Sequence, residues 1–161
     1  MSNAQLLNFD RKTMTNKRKL RIVLDSVVAV SAFLTEGIAA DMVSQCQESV
    51  YLYTTEEILQ ETRRVLLDKP HIRNRYNYSS EKVEVFIKHL RNISTVVAQL
   101  PDIRVIERDP KDDIIISCAV AASADYIISR DKDLLDLGSY REIQIVSPEE
   151  FIRILNEQKA Q

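Results

Sequence analysis

Glycine is almost missing from this chain, which has only Gly37 and Gly138. A dinucleotide fingerprint or a phosphate-cradling P-loop needs more glycines than that. Histidine is as scarce, with His71 and His89 alone, and no HExxH occurs, so a His-rich zinc site is not expected. Cys46 and Cys118 form no CxxC and no disulfide framework; they read as buried thiols in a reducing compartment. No apolar run reaches membrane-spanning length, and no apolar h-region opens the chain. A cytoplasmic location with no membrane contact is therefore the expectation. A net charge of −2 gives no bulk attraction to nucleic acid, so such a partner would need a local basic patch.

What remains is ordinary for one globular domain with a real core: 161 residues, 45% hydrophobic and 29% charged. Residues 1–19 are polar and basic and read as a flexible N-terminal arm, ahead of a single domain over 20–158. The first strand is Leu20–Leu24, ended by Asp25. A helix pair over 28–34 and 38–47, broken at Gly37, leads to a strand at 50–53. Thr55 caps a helix with Ile58, Leu59, Thr62, Val65 and Leu66 on its apolar stripe and Glu61 at the edge. Residues 71–78 read as a basic, aromatic connection. A long helix follows from Glu81 to about Val97, then a third strand at Arg104–Ile106. Ile143–Val146 is the last strand, and Ser147-Pro148 opens the last helix. Strands alternating with helices predict a three-layer α/β/α sandwich around a mainly parallel sheet. Functional groups gather at the carboxyl ends of such strands.

The segment from Asp109 to Asp133, DPKDDIIISCAVAASADYIISRDKD, organises the rest. Residues 114–124 carry no charge, so this helix must be packed on several sides. Asp112 and Asp113 sit in its first turn. The buried strand that follows ends on Asp131 and Asp133. Singly, each acid has an ordinary use as a cap or a solvent-face charge. Together with Asp25 they would repel one another unless a cation neutralised them, and hard oxygen ligands suit Mg²⁺ or Mn²⁺.

The same stretches carry a resemblance. IVLDSVVAVSAFL is similar to the opening of PIN-domain proteins, with Asp25 and Ser31 in place, Ser26 for Thr, and Val27 where Asn is usual. EEILQETRRVL supplies Glu61, DPKDD the third acidic block, and YIISRDKDL the fourth, with Ser129 for Thr. SPEEF closes the pattern, which spans about residues 20–156. Within that family the chain resembles the bacterial toxins of toxin–antitoxin modules, the VapC-like group. The resemblance implies a Mg²⁺- or Mn²⁺-dependent endoribonuclease. Its catalytic acids would be Asp25, Glu61, Asp112 and Asp131, with Asp25, Asp112 and Asp131 on the metal. Asp113 and Asp133 are the second choices, and Ser26 and Ser129 the supporting hydroxyls. A cognate antitoxin and a homodimer are implied as well. For the RNA substrate, the charge run from Thr62 to Tyr76 offers Arg63, Arg64, Arg73 and Arg75. The Val27 departure leaves open a PIN-like module that binds RNA or protein without cutting.

Overall fold

The computed structural model describes residues 18–106 and 109–160, apart from the side chains of Ile38, Cys46 and Gln47. Most of the predicted arm thus lies outside the described residues. The elements are β1 (Leu20–Leu24), α1 (Ser26–Leu34), α2 (Ile38–Ser49), β2 (Val50–Thr54), α3 (Glu56–Asp68), α4 (Pro70–Tyr76) and α5 (Ser80–Ile93). Then come β3 (Ser94–Val96), α6 (Pro110–Ala121), β4 (Tyr126–Ile128), α7 (Lys132–Leu137), β5 (Ser139–Tyr140), β6 (Ile143–Val146) and α8 (Pro148–Lys159).

Among the described residues, six strands lie in the order β3-β2-β1-β4-β6-β5. All neighbours are parallel except the β5–β6 hairpin. Alternation along β1 builds two cores. Leu20, Ile22 and Leu24 point into one with Val28, Met42, Leu52 and Phe151. Val23 points into the other, with Ile116, Cys118, Ile127, Leu134 and Ile145. Helices cover both faces, as the three-layer prediction required. α3 lies on the boundary, because Leu59 enters the first core and neighbouring Ile58 the second. The uncharged helix α6 buries Ile115, Ile116, Cys118 and Ala119. Burial also pushes the Cys118 thiol up to about 12, so it is inert packing.

The chain moves outward from β1 to β2 and β3, then returns to β4 on the other side of β1. This reversal opens a crevice at the carboxyl ends of β1 and β4, the place where open α/β sheets hold ligands. Among the described residues, no single helix is long and apolar enough to cross a membrane.

Three expectations need correction. The predicted strand Arg104–Ile106 is irregular, because the N–H groups of Val105 and Ile106 both donate to Asp113 Oδ1, at 2.8 Å each. Their ladder donors are already committed. The third strand is Ser94–Val96, pairing with Leu52–Thr54; the β-branched run Thr95-Val96-Val97 favours extension and stops the preceding helix at Ile93. The basic connection is also partly helical: Pro70 opens α4, and Asn77 closes it in the left-handed region at φ 48°.

Replacing Ile116, which is fully buried, by alanine is expected to cost about 3 kcal/mol in denaturant unfolding. Val85→Ala, at a side chain 68% exposed, should stay within about 0.5 kcal/mol.

Candidate metal centre

Asp25 follows β1 and N-caps α1. Its Oδ1 accepts the Val27 N–H at 2.7 Å. Its Oδ2 accepts the Ser129 hydroxyl at 2.6 Å. Ser129 follows β4, and its Oγ accepts the Asp131 N–H at 2.9 Å. Asp131 in turn N-caps α7, with Oδ1 accepting from Asp133 at 2.8 Å. Burial pushes the Asp25 carboxyl up, opposed by the Ser129 and Val27 hydrogen bonds. Ser26 lines the same cleft, and its hydroxyl also favours the charged form of Asp25.

Asp112, in the first turn of α6, behaves differently. It is buried, and its Oδ2 has no hydrogen-bond partner among the described residues. Burial, then the charges of Asp131, Asp109, Asp25 and Asp133, push its carboxyl up to about 7. An orphaned buried acceptor beside four further acids calls for a cation. Oxygens of Asp112, Asp131 and Asp133 lie within 4.8 Å of one another. Opposite ligands of Mg²⁺ stand about 4 Å apart, so this donor set fits a small divalent ion.

Asp112 and Asp131 open onto a cleft of about 330 Å³ whose walls also include Asp25, Val27, Glu57, Glu61, Asp109 and Lys111. A sequence model of the PIN domain matches residues 21–133. The chain belongs to the PIN domain family. PIN domains are in general metal-dependent nucleases. A search of curated proteins returns no match.

The PIN-domain cleft gathers Asp25, Ser26, Glu61, Asp112 and Asp131 from the sequence reading, and Ser129 stands directly behind Asp25. Of the two second choices, Asp133 joins the close acidic trio. Asp113 does not; its carboxylate clasps the chain at Val105 and Ile106. Asp25 is buried beside the trio rather than in it. The four arginines named for RNA are dispersed. Arg63 pairs with Glu84 at 2.7 Å, and Arg64 with Glu61 at 2.7 Å. Arg73 donates to Tyr78 O and to Ser80, while Arg75 lies over the Tyr76 ring. None of the four lines the cleft.

Sequence reasoning missed Glu57 and Lys111 as cleft residues. Glu57 lies four positions before Glu61, on the same helix face. That spacing was a usable signal. Lys111 sat in plain view inside DPKDD.

The raised Asp112 pKa has a definite sign. Below about pH 4 the group is protonated folded or unfolded, and burial carries no charge penalty. As pH rises from about 4 to about 7, the unfolded chain has released this proton while the folded state keeps it, so stability falls across that window and levels off above it. In EDTA, Asp112→Asn should match the parent near pH 4 and exceed it in melting temperature by pH 8. Asp113→Ala should lower the melting temperature, while Asp113→Asn, which keeps the accepting oxygen, should restore it.

Proposed function

We propose that this PIN domain is a divalent-metal-dependent endoribonuclease, the toxin of a toxin–antitoxin pair, cutting RNA phosphodiesters by water attack. The observation that carries the reading is the buried, unpartnered Asp112 oxygen, which lines the cleft and belongs to the close acidic trio. The order of the motifs from Asp25 to Asp131 supports the toxin assignment. In this reading the domain works in the cytoplasm as a homodimer, and an antitoxin segment silences it by filling the cleft.

Asp112, Asp131 and Asp133 would hold Mg²⁺ or Mn²⁺. When bound, the ion supplies Lewis acidity and positive charge for the phosphate. Asp25 keeps its acceptor face toward the cleft because two donors fix its rotamer. Asp131 is fixed by its capping bonds in the same way. Asp112 must lose its proton before it can ligate, so the proton competes with the cation below about pH 7.

A second reading, a PIN fold that binds without cutting, draws on Val27. Its isopropyl group is 53% exposed at the cleft, offering apolar surface where the usual Asn would offer an amide. Mn²⁺ titration separates the two, since a binding module with its fold intact would take up none at millimolar concentration.

Purified protein should cleave single-stranded RNA with Mg²⁺ or Mn²⁺ and stop in EDTA. Asp112→Asn and Asp25→Asn should each lose about a hundredfold or more in rate. Cleavage that survives EDTA would overturn the proposal. Mn²⁺ affinity should fall as pH drops from 7.5 to 5.5, read by calorimetry.

A further inference from the structure

Glu61 and Lys111 line the same cleft from different helices. Lys111 is the second residue of α6, its backbone N–H fixed by Asp109 Oδ1 at 2.9 Å. Its Nζ reaches Glu61 Oε1, on α3, at 3.2 Å. Glu61 also accepts two bonds from Arg64, at 2.7 and 3.0 Å. The Arg64 guanidinium, with Lys111, holds the Glu61 carboxyl below the usual carboxylate range. Its charge is therefore already answered by protein cations, unlike that of Asp112. Glu61 also stands outside the close trio of acids.

Lys111 is placed against local preference. A positive charge in the first turn of a helix opposes the helix dipole. It is nonetheless the one cation among the described residues that line the cleft. Its side chain is 61% exposed, so the ammonium is open to a ligand while tethered by Glu61. The cleft thus has an acidic floor, suited to a cation, and one wall bearing a positive charge. An RNA backbone phosphate is itself anionic. It can approach such a floor only if positive charge meets it from the ion and from the protein.

We propose that Lys111 is a phosphate contact for a single-stranded RNA backbone, and that Glu61 is the latch holding it over the cleft, not a ligand of the divalent ion. The identity of the ligand rests on the ribonuclease reading. The latch explains why an acid of the cleft is spent on two cations. It also gives the exposed lysine a fixed place, where a free side chain would sweep solvent.

The test uses the full chain with a short fluorescent single-stranded RNA, followed by anisotropy across rising NaCl, with and without Mg²⁺. Lys111→Gln should weaken binding about fivefold to tenfold and lower the slope of log K against log salt by about 0.7, one phosphate's worth for a single strand. Lys111→Arg should restore both. In parallel, Glu61→Gln should leave the Mn²⁺ dissociation constant within about twofold. An unchanged slope in Lys111→Gln would remove the phosphate contact. A tenfold loss of Mn²⁺ affinity in Glu61→Gln would make Glu61 a ligand and overturn its role as latch. Because binding is read without cleavage, a protein that binds in this way but never cuts would sink the nuclease reading and leave Lys111 in place.

Discussion

One hydrogen bond ties together the ends of the two central strands: Ser129 Oγ to Asp25 Oδ2, at 2.6 Å and fully buried. It exists because β1 and β4 are neighbours in the sheet although about a hundred residues apart in the chain. The same hydroxyl accepts the Asp131 N–H, so its proton can point only at Asp25. A carboxylate removed from water needs such donors, and bonds to a charged acceptor are the strong ones. The turn that sets Asp131 and starts α7 hangs from this contact. Loss of the hydroxyl would leave Asp25 underbonded and release the turn together.

Gathering like charges in one cleft is costly, and the fold offsets part of that cost with backbone. Asp25, Asp109 and Asp131 are the N-caps of α1, α6 and α7. Three helix starts therefore converge on the cleft with their N–H groups and positive dipole ends turned toward the acids. The capping acids are satisfied by this arrangement. Asp112 is the exception, in the first turn of α6, with an oxygen that no described group reaches. The unfavourable charge thus falls on Asp112, and on Asp25 beside it, whose carboxyls are both pushed up by burial. A site built this way accepts a cation strongly at one point while the surrounding acids stay fixed.

Much of this was legible in the sequence because it rests on local rules. Strand patterns, the capping residues Thr55 and Ser147, and the acids at strand ends follow from periodicity and helix-terminus chemistry. What failed depended on distant partners. Nothing local in Arg104–Ile106 says that its N–H groups belong to Asp113. The preference for Asp112 over Asp113 likewise rested on the family pattern and not on local chemistry. Adjacent helical residues point about 100° apart, and only the strap at Val105 shows which of the two faces the cleft.

The substitution at position 27 looks more serious in sequence than in space. An Asn there could orient Asp25 or a water. In this chain Asp25 is oriented by the Val27 backbone and the Ser129 hydroxyl, neither of which depends on the side chain of residue 27. The capping bond would survive any side chain that tolerates the first turn of α1. What valine removes is a hydrogen-bonding group at the rim, and what it adds is exposed apolar surface beside the acids. The expected effect falls on how substrate or solvent is received, not on how the acidic floor is held. A cation centre can therefore persist while the rim around it changes its preference.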